Sequence, residues 1–373
     1  MVTRTYLDHA ASSPTIPEAV EAMAGVLGVA GNPSSLHASG RAARRVLEEA
    51  RESLADDLGA APGEVVFTSG GTEANNLALL GSLSEARPLL AVSSIEHPSV
   101  AAVGGRGADV VVLPVGATGH LDVASARALV DRRTALVSVM WVNNETGATQ
   151  PVAEVVDLAH AVGALAHSDA VQAFGHLPVA FASSGLDLLS VSAHKLGGPV
   201  GVGALLVRRG TPLRPAGFGG GQEARLRSGT VPVALAAGFA AAARLAVGRL
   251  QAEAARLASL RDLLLAGVVA SVPDVGVNTV EPCGPAIANL TFHGARADDL
   301  LLLLDAEGFD ASTGSACTAG VHQPSEVLLG MGRTLAEASS SLRFSFGPDT
   351  TSAAIEALLA VLPGVVARAR SAA

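Results

Sequence analysis

A chain of 373 residues with 49% hydrophobic and only 16% charged residues holds enough apolar material for one large core or two packed domains, and its mean hydropathy of +0.42 excludes a disordered or heavily solvated polymer. The formal net charge of −9 and aromatic content of 3% exclude the basic, aromatic-interleaved surface of a nucleic-acid binder. Residues 1–10 carry no apolar signal-peptide core, and the most apolar stretch, 231–243, is cut by Arg244 and Arg249. A soluble, cytoplasmic chain with no membrane contact is therefore expected.

Taken in chain order, short β-rich runs alternate with helical patterns. Residues 64–68 read as a strand that runs into Ser69-Gly70-Gly71-Thr72 and a helix over 73–80. Strands follow at 89–93, ending before Glu96-His97-Pro98, at 109–113, and at 135–142, ending at Asn143-Asn144-Glu145. A helix over 152–162 precedes a strand over 164–168 that ends at Asp169. A strand over 187–191 ends at Ser192-Ala193-His194-Lys195, and 203–207 closes the set. Such alternation predicts a largely parallel sheet covered on both faces. Residues 233–269 read as a helix leading into a smaller α+β domain, with strands at 288–292 and 341–346 and helices at 297–307 and 351–362.

Polar residues recur just beyond strand ends, the edge of an open α/β sheet where ligands bind. Thr72, His97, Asn144, Asp169, Ser192, His194 and Lys195 are thus candidates for a single crevice. Lys195 stands out because it is the only lysine; all other fixed side-chain cations are arginine. Arginine replaces lysine as a surface charge but not as an amine that must lose a proton and attack a carbonyl carbon. A pyridoxal-phosphate site needs such a lysine and an acid for the pyridinium nitrogen, and Asp169 stands 26 residues before Lys195. The Gly70-Gly71-Thr72 turn suits an anion at a helix N-terminus, or is a plain turn with a threonine cap. His97 suits proton transfer, or is a loop histidine satisfied by hydrogen bonds.

Two cysteines exclude a disulfide scaffold, and their spacing matches no zinc or redox motif. Cys317 lies among small polar residues, 312–320, while Cys283 sits between prolines and receives no role. Arg343 alternates on a strand and has the fork geometry for a carboxylate. The Gly219–Thr230 segment is a second phosphate contact or simply a loop.

Together these pieces resemble the cysteine desulfurases, fold type I pyridoxal-phosphate enzymes of the class V aminotransferase group. The likeness runs through Leu7-Asp8-His9-Ala10-Ala11, Gly31-Asn32-Pro33-Ser34-Ser35, Ser69-Gly70-Gly71-Thr72-Glu73, Asn143-Asn144-Glu145-Thr146-Gly147 and His167-Ser168-Asp169-Ala170-Val171-Gln172. It continues through Ser192-Ala193-His194-Lys195, Arg227-Ser228-Gly229-Thr230, Ser312-Thr313-Gly314-Ser315-Ala316-Cys317 and Ser341-Leu342-Arg343-Phe344-Ser345. The long loop around Cys317 is similar to the NifS/IscS type.

The resemblance implies a large domain over 16–250 with a mainly parallel seven-stranded sheet, and a small α+β domain from 1–15 and 251–373 carrying the cysteine loop. It implies pyridoxal 5'-phosphate as cofactor, L-cysteine as substrate, a homodimer, and a scaffold or thiolation protein as sulfur acceptor. Lys195 would hold the cofactor covalently, Asp169 its ring nitrogen, Gln172 its ring hydroxyl, and His97 would stack on the ring. Gly71, Thr72, Ser192 and His194 would bind phosphate, with Thr230 reaching over from the partner subunit. Asn144 and Arg343 would hold the substrate carboxylate, and Cys317 would be the sulfur nucleophile. The chain departs from the family pattern at Ser12, Ser13, Val200, Phe218 and Ala224, none of which is expected to touch the chemistry. Selenocysteine lyases, sulfinate desulfinases and amino-group transferases share the expected lysine and aspartate but need no attacking thiol.

Overall fold

The structure, a computed structural model, describes residues 4–106, 108–314 and 323–372. A short strand, β1 (Thr5–Tyr6), precedes two helices, Pro17–Leu27 and Ala38–Leu58. Then come β2 (Val65–Thr68), β3 (Leu89–Ser93), β4 (Asp109–Leu113), β5 (Thr134–Ser138), β6 (Leu165–Asp169), β7 (Leu188–Ser192) and β8 (Gly203–Val207). These seven form one sheet in the order β2-β8-β7-β6-β5-β3-β4. Only β8 runs against its neighbours, β2 and β7; the other pairs are parallel.

The strands are continuous apolar runs because both faces are covered. Phe67, Val137, Val191 and Leu206 point into one core with Leu54, Phe174 and Phe239. Their sequence neighbours Val66, Leu136 and Leu205 point into the other, against Leu77 and Ala78 of the helix Gly71–Ser82. This period-two division fixes the register: a one-residue slip would exchange the faces.

A 39-residue helix, Val233–Ser271, reaches about 58 Å at the α-helical rise. Its first half adds Ala236, Phe239 and Ala243 to the first core. Its second half adds Leu257, Leu260, Leu264 and Val268 to a separate core. That second core is built on an antiparallel sheet of β9 (Val275–Val277), β10 (Ile287–Phe292) and β12 (Ser341–Ser345), in the order β12-β10-β9. The strand between them in sequence, β11 (Phe309–Asp310), pairs in parallel with β1, and Leu7 is buried in the second core.

The element boundaries expected from sequence shift in two informative places. β5 stops at Ser138, not 142. Val139 and Trp141 still donate to the carbonyls of His167 and Asp169, but β3 has ended at Ser93, and the Glu96 carboxylate takes the Met140 N–H instead. The last helix runs through Pro363 to Ala372; burial of Val365, Val366 and Ala369 in the second core outweighs the missing N–H. The helix expected over 233–269 is observed as Val233–Ser271. Val233–Ser271 and Ser352–Ala372 are both long and apolar enough to cross a membrane by length and composition, although each carries buried residues of the protein cores.

Candidate active site

The sheet brings the polar strand ends to one edge. β6 delivers Asp169, 5% exposed, with Oδ1 accepting from the Val171 N–H at 2.9 Å and Oδ2 from Asn75 Nδ2 at 2.6 Å. β7 runs directly into the 3-10 turn Ala193–Lys195. The Lys195 ammonium donates to the carbonyls of Ala10 and Ala11 at 2.5 and 2.7 Å. Gln172 Nε2 donates to the same Ala10 carbonyl at 2.8 Å. Burial, reinforced by the Arg343 charge and opposed by Asp8 and Asp169, pulls the Lys195 pKa down to about 8.

His97 caps the turn Pro98–Ala101 after β3, its Nδ1 accepting from the Ser99 N–H at 3.1 Å. Burial lowers its pKa, with Asp169 opposing and Lys195 adding to the shift. His194 falls to about 4, first through burial and then through Lys195 and His97. These mutual influences place Lys195, Asp169, His97, His194 and Arg343 within one electrostatic neighbourhood.

Arg343, from β12, is 3% exposed. Nη2 donates to Asp8 Oδ1 at 2.6 Å and Nη1 to the Asn144 carbonyl at 2.8 Å. Buried polar atoms without a partner around this edge include Ser192 Oγ, Asn144 Oδ1, Arg343 Nε and Asn75 Oδ1. Unsatisfied buried groups of this kind are rare in native proteins and call for an explanation, such as a ligand. Gly70, with φ of +152°, opens the helix Gly71–Ser82, and the nearest atom a Cβ there would meet is Ser192 Oγ at 4.0 Å. A glycine-lined helix N-terminus beside a free buried hydroxyl suits an anion. An amine poised for deprotonation, a buried carboxylate and an anion cradle together suit pyridoxal phosphate.

Thr72 stands exposed in the first turn of that helix, and Thr230 is exposed in the loop after Arg227. No hydrogen bond among the described residues ties the Thr230 side chain to the cleft. Cys317 lies outside the described residues; of the described residues nearest to it in sequence, Gly314 and Ser325 both lie against Glu145. Ser325 Oγ donates to Glu145 Oε2 at 2.5 Å, and a Cβ on Gly314 would lie 2.8 Å from the same oxygen.

Two departures from the family pattern do touch the site, contrary to expectation. Ser12 Oγ lies 3.3 Å from His194 Nδ1, and Ser13 Oγ donates to the Lys195 carbonyl at 3.1 Å. Val200 and Phe218 are exposed at 72% and 102%, away from these contacts. Sequence reasoning missed Asn75, Ser99 and the chemistry of Glu145. The available signal was polar residues on faces that the helix and strand periodicities assign to the interior.

The whole chain matches known proteins in keeping with this site. The aminotransferase class-V profile matches residues 5–358, and the chain belongs to that family, whose fold is the mixed α/β architecture of fold type I pyridoxal-phosphate enzymes. Within it, the chain is 50% identical over 383 residues to an IscS-like cysteine desulfurase of Mycobacterium tuberculosis, covering 99% of this chain and 98% of the relative. Among solved structures, a NifS-like protein superposes with a TM-score of 0.91 at 32% identity, covering 98% of this chain and all of the other. SspA, solved in complex with cysteine, superposes with a TM-score of 0.81 at 33% identity over 94% of this chain and 100% of its own.

Proposed function

We propose that this protein is a pyridoxal-phosphate-dependent cysteine desulfurase that converts L-cysteine to L-alanine and hands the sulfur, as a persulfide on Cys317, to an acceptor protein. The observation that carries the reading is the lone lysine, its amine drawn down to about pKa 8, at the same sheet edge as a buried aspartate and an anion cradle. The full-length likeness to cysteine desulfurases supports the reaction type. The division into a unit over 16–250 and a unit over 1–15 with 251–373 is supported by the two separate cores. Assembly as a homodimer, with Thr230 serving the partner's site, and residence in the cytoplasm complete the reading.

When bound, pyridoxal phosphate supplies a covalent hold on the substrate amine and an electron sink for the α-carbon. Gly71, Thr72, Ser192 and His194 would hold its phosphate, Asp169 would pair with the ring nitrogen and favour its protonated form, Gln172 would contact the ring hydroxyl, and His97 would cover the ring. Arg343 and Asn144 grip the substrate carboxylate, which fixes the α-hydrogen relative to Lys195. The Lys195 amine, its pKa drawn down to about 8 chiefly by burial, takes that proton in its neutral form. The Cys317 thiolate then attacks the substrate sulfur: a sulfur–sulfur bond forms, the substrate carbon–sulfur bond breaks with its electron pair left on the β-carbon, and protonation of the β-carbon together with return of the proton to the α-carbon gives alanine.

The test is mass spectrometry of Cys317 after addition of L-cysteine to the pyridoxal-phosphate-loaded protein. A mass gain of one sulfur atom on Cys317 is expected, with alanine released. Cys317→Ala is expected to keep the visible absorbance of the lysine-bound cofactor and lose alanine formation; alanine release at the parent rate would overturn the nucleophile assignment and favour a lyase or transaminase.

A further inference from the structure

Asn75 has no part in the cofactor and substrate contacts proposed above, yet it is 1% exposed and lies directly behind them. It projects from the helix Gly71–Ser82, and its Nδ2 donates both to Asp169 Oδ2 at 2.6 Å and to Ser99 Oγ at 2.8 Å. Ser99 Oγ in turn lies 2.7 Å from His97 Nδ1. The direction of every bond in this chain is determined. A reversed amide would set Asn75 Oδ1 against the Asp169 carboxylate, two acceptors with no proton between them, so the amine end must face Asp169. Ser99 Oγ accepts from that amine and has its proton left for His97 Nδ1. The Ser99 backbone N–H, which can only donate, also points at Nδ1, at 3.1 Å. Nδ1 is therefore an acceptor, and in neutral His97 the ring proton sits on Nε2.

We propose that Asn75 is a positioning residue that couples Asp169 to His97 through Ser99, holding His97 as the Nε2–H tautomer so that Lys195, and not His97, takes the substrate proton. With Nδ1 committed to two donors and Nε2 already protonated, the neutral imidazole has no free lone pair facing the cleft. It can donate a hydrogen bond there but cannot act as the base. The charged and titratable groups around His97 act in keeping with this: Lys195 and burial oppose a second proton on the ring, and Asp169 alone favours one; His194, in the turn after β7, is itself held neutral by burial, Lys195 and His97. By the same bridge Asn75 fixes the Asp169 carboxylate from behind.

The assignment of the base rests on the desulfurase reading; the tautomer does not. The first arm of the test is a long-range 1H–15N correlation spectrum of the full-length protein labelled with 15N-histidine, with His97 identified by its loss in His97→Gln. The expected pattern is a protonated Nε2 and a pyridine-like Nδ1 without cofactor or turnover; an Nδ1–H ring or a rapidly averaged mixture overturns the proposal. The second arm uses the pyridoxal-phosphate-loaded protein and L-cysteine. Asn75→Ala is expected to lower kcat about tenfold or more with KM held within about threefold, as loss of proton-transfer geometry does. Ser99→Ala should lower kcat in the same way, and Ser99→Thr, which keeps the hydroxyl, should restore it. The double variant Asn75→Ala/Ser99→Ala should be no worse than Asn75→Ala alone, because both break one chain. Strictly additive losses would overturn the relay. A parent protein that makes no alanine would fail the desulfurase reading and leave the spectroscopic arm standing.

Discussion

Arg343 is bound to Asp8 by a 2.6 Å hydrogen bond between Nη2 and Oδ1, with the pair 4% and 20% exposed at their side chains. The residue proposed to grip the substrate carboxylate thus already has a carboxylate partner within the chain. Asp8 both holds the guanidinium in place and offsets its charge. Removing the Asp8 charge while keeping its shape leaves a more positive Arg343 facing the cleft. Asp8→Asn is therefore expected to lower the KM for L-cysteine about threefold, and Arg343→Lys, which loses the fork, to raise it about tenfold or more. Steady-state kinetics at matched cofactor loading decide; a raised KM in Asp8→Asn would show that Asp8 serves orientation alone.

Burial of Lys195 has a direct consequence for loading the protein with pyridoxal phosphate. Only the neutral amine attacks the aldehyde, and with a pKa near 8, down from 10.5, about half of it is neutral at pH 8. The rate of covalent capture, followed by visible absorbance, is expected to rise with pH to a plateau with a midpoint near 8. A midpoint near the ordinary lysine value would mean that the side chain is solvated, not buried. Lys195→Arg should show no capture at any pH, since guanidinium stays protonated.

How much of this was legible in the sequence depends on what each residue answers to. The seven strands of the main sheet were readable because runs such as 89–93 and 203–207 are apolar, β-branched or both, and end at glycines or polar turns. Lys195 and Asp169 were readable because chemistry restricts residue type so tightly at those positions. The helix Ala38–Leu58 was not anticipated: its polar face of Arg and Glu hides an interior stripe of Ala43, Leu47, Ala50 and Leu54. Asn75 was illegible because its partners, Ser99 and Asp169, lie 24 and 94 residues away, and only the fold juxtaposes them. Ser12 and Ser13 were set aside because nothing in a local pattern shows that residues 8–13 lie beneath Lys195.

Glu223, within the Gly-rich 219–230 segment read as a phosphate contact or a loop, serves neither a ligand nor the solvent. Its two oxygens take Arg51 Nη1 and Nη2 at 2.8 and 2.7 Å, and Oε2 also accepts from the Phe67 N–H of β2 at 2.8 Å. Arg51 further donates to the Val65 carbonyl at 2.7 Å and lies over the Phe67 ring, 4.9 Å from its centroid. Glu223→Ala leaves the buried guanidinium with only Glu48, a solvent-exposed carboxylate 3.1 Å from Nε, and is expected to cost about 3 kcal/mol in chemical denaturation, whereas Glu223→Ala/Arg51→Met should recover most of that loss. A single-variant cost below about 1 kcal/mol would mean that the pair is solvated like an ordinary surface bridge.

Glu145 gives the protein a pH-dependent weakness on the alkaline side. Burial at 5% exposure raises its pKa from 4.5 to about 7, against the hydrogen bond from Ser325 and the charge of Arg343, with Glu326 adding to the rise. Between about pH 4.5 and 7 the folded chain keeps a proton that the unfolded chain has released. The stabilisation is complete below that window and is lost as pH rises through it. Glu145→Gln cannot ionise and avoids the loss, so its stability relative to the parent should increase from pH 5 to pH 8 by on the order of 2–3 kcal/mol. His167, buried and held neutral with its pKa down at about 3, acts in the opposite sense as pH falls below the ordinary histidine value, but it is present in both proteins and cancels in the difference. Urea denaturation of both at several pH values measures the effect; parallel stability curves for variant and parent would show that Glu145 ionises at its ordinary pKa and that burial does not hold its proton.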